Sequence, residues 1–318
     1  MLKVLLVKTS SLGDVVHNLP VASDIRSRFP DARIDWVVEE AYAPLVRLHA
    51  AVDRVIPVAI RRWRKRLLDR PSWVEIGAVR RLFRAERYDA IIDTQGLIKS
   101  ALIARVAKGC SHGLSAKSAR EALASRFYNV THHVGRGQHA VVRNRALAAA
   151  AMGYRVEGPA RYGVAAGSAR SPLGGRYGVL LHGSSRTEKL WPEDRWVAIG
   201  RELESRGMQC AVLWGDQEEH ARSLRIASAL AGAWVPSAPM TLETVSALLA
   251  KASAVVGVDT GLVHLAAALG VPVAAIYCAT DPSLTGIYGS ARARNLGGPG
   301  RAPAVAEVMA ALSELGAL

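Results

Sequence analysis

Cysteine is scarce in this chain. The three that occur, Cys110, Cys210 and Cys278, lie far apart and show no paired spacing. Their separation argues against a disulfide framework and a zinc site, and it fits a protein of a reducing compartment. With 50% hydrophobic residues, the composition is that of a well-cored globular protein.

Acidic residues are also in short supply. The chain has 27 Asp and Glu residues against 41 Lys and Arg, which gives a formal net charge of +14. A surface this basic favours anionic partners, namely nucleic acid, an anionic membrane or a phosphorylated substrate. Net charge alone does not choose among the three.

No apolar run is long enough to cross a membrane. The most hydrophobic stretch, residues 262–277, is shorter than a span and is interrupted by Gly270 and Pro272. Residues 1–8 have too short an apolar run for a signal peptide, and no small-residue cleavage site follows. We therefore expect a cytoplasmic protein, with any membrane contact peripheral.

Short apolar runs alternate with amphipathic stretches, which is typical of repeated βα units and a parallel sheet. In the first half the pattern predicts strands and helices at residues 3–7, 15–29, 33–38, 54–56, 74–86, 90–93 and 138–152. In the second half it predicts them at residues 177–181, 194–206, 209–213, 218–231, 242–251, 254–258, 262–269, 272–276 and 304–315.

The two halves meet in a stretch rich in Gly, Ala, Ser and Pro that shows no sustained period. We predict an α/β protein with two Rossmann-like doubly wound domains, residues 1–155 and 177–318, joined by a linker at 156–176. The last helix could pack back on the first domain. Because ligands of open α/β sheets bind beyond the carboxyl ends of the strands, we expect the ligand in the crevice between the domains.

The first predicted strand leads into residues 8–14 (KTSSLGD). One glycine is too few for a dinucleotide fingerprint, and no Walker A sequence occurs, so neither an NAD enzyme nor a P-loop ATPase is expected. Asp14 lies near the start of the following helix. A simple helix cap is the favoured interpretation, because aspartate is among the preferred residues there. The alternative is a general base that accepts a proton from a hydroxyl.

A basic run, residues 61–66 (RRWRKR), follows the third strand. Such runs are usually solvated surface, and that interpretation stays open here. Arginines also suit phosphate and carboxylate, so the run could bind an anion. Trp63 could stack on a base, but no repeated basic stripe, no recognition helix and no known nucleic-acid motif accompanies it.

In the second half, residues 182–192 (HGSSRTEKLWP) follow a buried strand. The hydroxyls of Ser184 and Ser185 and the ammonium of Lys189 could hold a diphosphate. The alternative is an ordinary loop before a helix that begins near Pro192.

A second loop, residues 256–264 (VGVDTGLVH), runs from a buried strand into a hydrophobic helix. Asp259 could cap that helix, and the N–H groups of its first turn could bind an anion. The Asp-Thr-Gly sequence also occurs in aspartic proteases, but those are all-β. His264 alone is more often a packed helix residue than a ligand.

Metal-binding patterns are lacking. The chain has no D-x-D and no H-E-x-x-H, and the adjacent His132 and His133 would not share a face. We therefore predict no metal ligands, which leaves a lysine and a helix dipole to neutralise a leaving diphosphate.

Six segments together resemble the ADP-heptose:lipopolysaccharide heptosyltransferases. They span nearly the whole chain in the family's order and are specific as a set, although no single one is decisive. The basic run points to the branch that adds the first heptose rather than its sibling. The segments are residues 7–15 (VKTSSLGDV), 55–65 (VIPVAIRRWRK), 93–100 (DTQGLIKS), 189–192 (KLWP), 258–265 (VDTGLVHL) and 280–282 (TDP).

The resemblance implies a B-type glycosyltransferase fold and an inverting mechanism. The donor would be ADP-L-glycero-β-D-manno-heptose and the acceptor the first Kdo of Kdo2-lipid A. No cofactor and no nucleic acid are implied, and a non-essential divalent cation is left open. A basic surface would match both this anionic glycolipid and the cytoplasmic face of the inner membrane, where we expect peripheral association.

The resemblance also implies residue roles, with Asp14 as catalytic base and Lys189 as its catalytic partner at the diphosphate. The remaining donor-side residues would be Ser184, Ser185, Asp259, Thr260, Gly261, His264 and either Glu218 or, as we favour, Glu219 on the ribose. The acceptor-side residues would be Lys8, Ser11, Gly13, Arg61, Arg62, Arg64, Lys65, Arg120 and His139. Family members often carry threonine at positions 184 and 185, and serine keeps the hydroxyl.

Two other functions stay open. One is a sibling transferase that acts on an already heptosylated core. The other is a non-catalytic binder of anionic glycolipid or nucleic acid, which would not need an adenosine pocket. The sequence gives no oligomeric state.

Overall fold

The computed structural model describes residues 1–66, 68–167 and 169–318. The chain divides into two compact units, Met1–Ala165 and Ala166–Leu318. The predicted linker, 156–176, spans this division, and its Ser168 lies outside the described residues. Each unit has its own parallel sheet with helices around it, as the alternating pattern predicts.

Unit 1 contains a six-stranded parallel sheet in the order β3-β2-β1-β4-β5-β6. In chain order its elements are β1 (Lys3–Val7), α1 (Leu12–Val16), α2 (Leu19–Arg28), β2 (Arg33–Glu39), α3 (Ala43–Arg47), β3 (Arg54–Val58), α4 (Ile60–Lys65), α5 (Arg70–Ala85), β4 (Arg87–Asp93), α6 (Ile98–Val106), β5 (Lys108–Leu114), β6 (Val130–His132) and α7 (Ala140–Met152). Val7, at the end of β1, pairs with Val37 and Asp93. The segments 8–14 and 93–100 therefore begin at neighbouring strand ends.

The helix predicted over residues 15–29 is in fact two helices. α1 ends at Val16, and α2 begins at Leu19 with Asn18 as its N-cap. Pro20, at the second position of α2, has no N–H to donate to the preceding turn, so one continuous helix would lose a hydrogen bond there.

Strands β5 and β6 are absent from the sequence-based prediction. β5 has the sequence KGCSHGL, which lacks the apolar run on which that prediction depends. Its glycines have a packing role, because a Cβ on Gly113 would come within 2.2 Å of the Tyr128 ring. The strand therefore forms through a close tertiary contact that hydrophobicity does not reveal.

Unit 2 contains a five-stranded parallel sheet in the order β11-β10-β9-β7-β8. Its elements are β7 (Tyr177–Leu181), α8 (Glu193–Glu204), β8 (Gln209–Val212), α9 (Gln217–Ser228), α10 (Leu242–Ala250), β9 (Ala254–Val258), α11 (Gly261–Ala268), β10 (Val273–Tyr277), α12 (Pro282–Thr285), β11 (Ala293–Gly297) and α13 (Val305–Glu314). Every residue of β7, β9 and β10 is buried. Such strands read as continuous apolar runs, which is why the sequence locates them well.

The core of unit 2 is anchored by two tryptophans. Trp191 and Trp196 are fully buried and pack edge to face with ring centroids 5.3 Å apart. The last helix, α13, buries Val308 and Leu312 in this same core. No helix in the described ranges combines the length and apolarity needed to cross a bilayer.

Candidate active site

In unit 1, the predicted acceptor residues start with Lys8, directly after β1. Its side chain is buried, and its Nζ donates to the Thr94 carbonyl at 3.0 Å. Burial lowers the pKa of Lys8, while the carboxylates of Asp14 and Asp93 act in the opposite direction. The chain thus keeps a desolvated amine close to two carboxylates at the end of β1.

Asp14 lies at the third position of α1, and Ser11 is the N-cap of that helix. The Ser11 backbone N–H and its hydroxyl both donate to Asp14 Oδ2 at 2.9 Å. Asp14 therefore helps to cap the helix from inside its first turn rather than as the N-cap residue. Within the described chain its Oδ1 accepts no hydrogen bond, so capping and proton transfer are compatible roles for one carboxylate.

Gln95 holds the loop that joins β1 to α1, a role that the sequence analysis missed. Its Oε1 accepts from the Thr9 N–H at 2.6 Å and from the Thr9 hydroxyl at 2.8 Å. The Gln95 N–H donates to the buried Asp93 carboxylate at 2.8 Å. Lys99 reaches the same loop, because its Nζ donates to Ser10 Oγ at 3.2 Å. Gln95 and Lys99 both belong to the 93–100 segment. The resemblance of that segment to the family is the signal that could have identified them from the sequence.

The basic run forms α4, and its arginines differ in their surroundings. Arg62 is bonded to two carboxylates, those of Glu40 and Glu75, at 2.8 to 3.1 Å. Arg61 is exposed and lies over the Tyr42 ring, 5.6 Å from its centroid. Arg62 would have to leave its carboxylates, or share them, to bind an anion.

The other predicted acceptor residues lie in different surroundings. Arg64, Lys65 and Arg120 are exposed, and Gly13 is half-buried within α1. His139 is buried as the N-cap of α7, where its Nδ1 accepts from the Val141 N–H at 3.1 Å. The structure thus gives His139 a capping role and leaves its predicted acceptor role a prediction.

In unit 2, Asp259 is the centre of a polar cluster at the end of β9. Its Oδ2 accepts from Lys189 Nζ at 2.6 Å and from the Thr280 hydroxyl at 2.7 Å. His264 Nε2 lies 3.6 Å from Oδ1. Burial alone would raise the pKa of Asp259, but these three partners outweigh it and hold that pKa well below its usual range. The carboxylate therefore stays ionised and fixes the lysine in place.

The expectation that Asp259 caps α11 is wrong. The N-cap of α11 is Thr260, and Gly261 is its first residue. The Asp259 carboxylate is instead bonded to Lys189 and Thr280, neither of which is near it in sequence. The N–H groups at the start of α11 and the Lys189 ammonium consequently flank the same residue, an arrangement that suits an anion.

Ser184 and Ser185 follow β7 in the loop that leads to Lys189. Ser184 is half-buried and Ser185 is exposed. Lys189 ends a short 3₁₀ turn, Thr187–Lys189, just before α8. Two hydroxyls and an ammonium thus occupy one loop at the carboxyl end of the sheet.

Of the two glutamates after β8, Glu219 faces this loop. Its Oε2 accepts from the Gly215 N–H at 2.7 Å, and a Cβ on Gly183 would come within 2.2 Å of its carboxylate. Burial raises the pKa of Glu219, and the hydrogen bond from the Gly215 N–H opposes that shift without cancelling it. Glu218 is exposed. The geometry favours Glu219 for a ligand held near Gly183.

His182, directly before that glycine, is a buried residue that the sequence analysis did not single out. It is fully buried, and its Nε2 lies 2.7 Å from Ser223 Oγ. Within the described residues its Nδ1 has no hydrogen-bond partner. Burial, helped by the nearby Arg222, lowers the pKa of His182 to about 4. The ring is therefore neutral in the folded protein at neutral pH.

We expect His182→Gln to weaken the acid sensitivity of unit 2. An unfolded histidine, with a pKa of about 6.5, takes up a proton as the pH falls, whereas His182 in the fold does so only near pH 4. Folding stability therefore falls between about pH 6.5 and 4, by about 2.5 kcal/mol at pH 4.5. Urea unfolding at pH 7 and at pH 4.5 measures the free energy of unfolding at each pH. The loss of free energy between the two pH values should be smaller in the variant than in the unaltered chain. His220→Gln, which keeps His182, is the control, and an equal change in both variants would contradict the assignment.

Within the described ranges, no three His, Cys, Asp or Glu residues are grouped so that they could hold a metal ion. Beside Asp259, the groups that could meet an anion are the Lys189 ammonium and the N–H groups at the start of α11. The predicted absence of metal ligands stays a prediction.

Comparison with known proteins gives consistent matches along the chain. The profile of glycosyltransferase family 9 (heptosyltransferase) matches residues 76–308. Lipopolysaccharide heptosyltransferase 1 of Escherichia coli (strain K12) is 46% identical over 293 residues, which cover 91% of each chain.

Two solved structures are also similar. One is E. coli heptosyltransferase WaaC with ADP, at TM-score 0.92 and 42% identity over 99% of this chain and 100% of that one. The other is E. coli heptosyltransferase WaaC with ADP-2-deoxy-2-fluoro heptose, at TM-score 0.88 and 42% identity over 98% and 99%. The predicted fold class, two Rossmann-like domains of the B-type glycosyltransferase kind, is confirmed by these matches.

Proposed function

Because the chain belongs to glycosyltransferase family 9, the heptosyltransferases, we propose that it moves L-glycero-D-manno-heptose from ADP-heptose to the first Kdo of Kdo2-lipid A. The enzyme is a glycosyltransferase of lipopolysaccharide core biosynthesis. The observation that carries the acceptor assignment is the likeness to lipopolysaccharide heptosyltransferase 1 along nearly the whole chain.

The donor would be held by unit 2. The Lys189 ammonium, the hydroxyls of Ser184 and Ser185, and the N–H groups at Thr260 and Gly261 would face the diphosphate. Asp259 fixes Lys189 at 2.6 Å and would position it rather than touch the phosphate. His264, buried beside Asp259, would border the heptose.

Transfer would be a single displacement at the anomeric carbon. The Kdo hydroxyl oxygen forms the new bond while the bond to the β-phosphate oxygen breaks, so ADP departs from the opposite face and the configuration inverts. Asp14 takes the hydroxyl proton, and negative charge on the departing phosphate is met by Lys189 and the α11 N–H groups. The reaction so written is redox-neutral and needs no cofactor, and a divalent cation would assist without being essential.

The acceptor would be held by unit 1. Lys8, Arg61, Arg64, Lys65 and Arg120 are cations, and Kdo2-lipid A carries carboxylates and phosphates. We further propose that the protein works at the cytoplasmic face of the inner membrane, in peripheral contact with its anionic lipids.

Mass spectrometry of Kdo2-lipid A incubated with the protein and ADP-heptose tests the proposal. We expect the acceptor to gain one heptose and ADP to be released in equal amount. Parallel incubation with an acceptor that already carries the first heptose separates the sibling activity. Transfer to that acceptor alone would contradict the proposal, and the absence of ADP binding by calorimetry would favour a non-catalytic binder.

The two glutamates after β8 offer a matched pair of substitutions. We expect Glu219→Gln to weaken ADP binding about 5- to 15-fold, because a charged hydrogen bond to the ribose would become a neutral one. Glu218→Gln should leave the affinity unchanged, since Glu218 is exposed. Isothermal titration calorimetry with ADP measures both. The reverse ranking would move the ribose contact to Glu218.

A further inference from the structure

One face of α5 is unusual for a helix of a cored domain. The helix is 16 residues long, but only Ser72 and Phe83 are buried, and Phe83 belongs to a core cluster of unit 1. Away from these two residues, Trp73 is 58% exposed and Val74 is 67% exposed. Large apolar side chains therefore point into solvent at the N-terminal end of the helix.

The exposed face is also basic. Six residues at spacings of three, four and seven lie along one line of a 3.6-residue helix, and we call them the α5 stripe. Five of them are exposed and the glycine is half-buried. The α5 stripe consists of Arg70, Trp73, Val74, Gly77, Arg81 and Arg84. It contains no acidic residue.

Residues next to the α5 stripe add to its apolar and basic character. Leu68, just before α5, is 99% exposed, and Arg80 lies exposed beside the stripe. The one carboxylate within the helix, Glu75, lies off the stripe and is bonded to Arg62 and to the Trp63 indole. The positive charge of the stripe is therefore not cancelled by its own helix.

We propose that the α5 stripe docks the protein on an anionic phospholipid bilayer. Tryptophan favours the level of the lipid headgroups, where its ring is buried and its N–H stays wet. Arginine stems can lie along acyl chains while the guanidinium groups bind headgroup phosphates. An apolar end flanked by arginines is the pattern of helices that lie in a membrane interface.

Charge argues against a second copy of the chain as the occupant. A symmetric dimer pairs a patch with itself, so a stripe with three arginines and no carboxylate would face a second stripe with three arginines and no carboxylate. Like charges in an interface cost free energy, whereas anionic headgroups would neutralise them. The stripe complements a bilayer better than it complements itself.

The position of the stripe in the chain fits the proposed acceptor. α5 follows α4 closely, and α4 carries Arg61, Arg64 and Lys65, which we place on the acceptor side. An acceptor with acyl chains stays in the bilayer while its Kdo sugars project from it. In this respect the inference rests on the proposed function.

Vesicle binding tests the surface without donor or acceptor. The full chain would be spun with sucrose-loaded vesicles of phosphatidylethanolamine and phosphatidylglycerol, or of phosphatidylcholine alone, at fixed ionic strength. We expect binding to the anionic vesicles only. Removing the charge of one arginine should weaken vesicle binding about fivefold. The double variant Arg81→Gln with Arg84→Gln should therefore bind anionic vesicles more than tenfold more weakly. Trp73→Ser with Val74→Ser should also weaken binding more than tenfold, through lost apolar burial.

Two controls match these changes in residue type. Leu224→Ser removes a 51% exposed leucine from α9, and Arg105→Gln removes an exposed arginine from α6. Both should bind vesicles as the unaltered chain does. Circular dichroism should be unchanged in every variant. ADP affinity should be unchanged in the variants of α5 and α6, because those helices lie in unit 1 and the donor residues in unit 2. Stripe variants that bind like the controls would overturn the proposal, as would a dimer in sedimentation that the stripe variants dissociate.

Turnover separates this inference from the proposed function. With the acceptor in vesicles, the stripe variants should lose activity in proportion to lost binding. With a water-soluble Kdo acceptor that has no acyl chains, their kcat/KM should equal that of the unaltered chain. Equal losses on both acceptors would overturn docking as the cause. If no acceptor is converted but the vesicle results hold, the surface stands and the proposed function fails.

Discussion

Asp14→Asn is expected to lower kcat by about 10²- to 10⁴-fold while the affinity for ADP stays unchanged. The change removes the proton acceptor, and a general base contributes a factor of this size. In the unaltered chain the Ser11 backbone nitrogen lies 2.9 Å from Asp14 Oδ2. The asparagine carbonyl can accept the same hydrogen bond, so the start of α1 should stay helical. Steady-state ADP release and calorimetry with ADP give the two quantities.

A control separates catalysis from capping. Asp31→Asn removes an exposed carboxylate elsewhere in unit 1 and should leave kcat unchanged. Because asparagine keeps an acceptor for the Ser11 N–H, thermal unfolding of the Asp14 variant should show a smaller loss than the outright removal of a cap, which costs about 0.5–2 kcal/mol. Turnover near that of the unaltered enzyme would remove Asp14 from the role of base.

The second large effect is expected from Lys189→Ala, which should lower kcat/KM by about 10²- to 10³-fold. Removing one preorganised donor that faces the developing negative charge lowers the rate by about this factor. A further loss arises because Asp259 then keeps a negative charge next to the diphosphate, no longer paired at 2.6 Å with the ammonium. The affinity for ADP should fall as well, and calorimetry measures that part separately.

A double-mutant cycle with Asp259→Asn distinguishes two roles of the lysine. If Lys189 binds phosphate directly, the double variant should recover only the part of the loss that the unpaired Asp259 charge causes, and its ADP affinity should stay well below that of the unaltered chain. If the lysine only neutralises Asp259, the second substitution should restore most of the ADP affinity. Lys251→Ala, which removes an exposed lysine of unit 2, serves as the control for net charge.

The sequence predicted the buried strands well and missed the partly exposed ones. β7 and β9 were predicted to the residue, because strands covered on both faces are short apolar runs. β11, with the sequence ARNLG, and β5 were missed, because partly exposed strands with glycine lack that pattern. Their formation depends on pairing with neighbours already in the sheet.

The site was predictable in its residues but not in its contacts. The loop after β7 and the segment at β9 identified Lys189 and Asp259 separately. Their hydrogen bond joins residues 70 positions apart, and no local spacing encodes it. The assignment of Asp259 as a cap failed for that reason. Gln95 was missed because its function is a contact with Thr9, which lies in another segment.

Gly183 has a consequence for how sequences of this kind can vary. The space that a side chain would need there is already filled by the Glu219 carboxylate, at 2.2 Å from an ideal Cβ. Even alanine would have to displace that carboxylate, so a larger residue at 183 requires a shorter one at 219. Among related sequences the two positions should therefore change together or not at all.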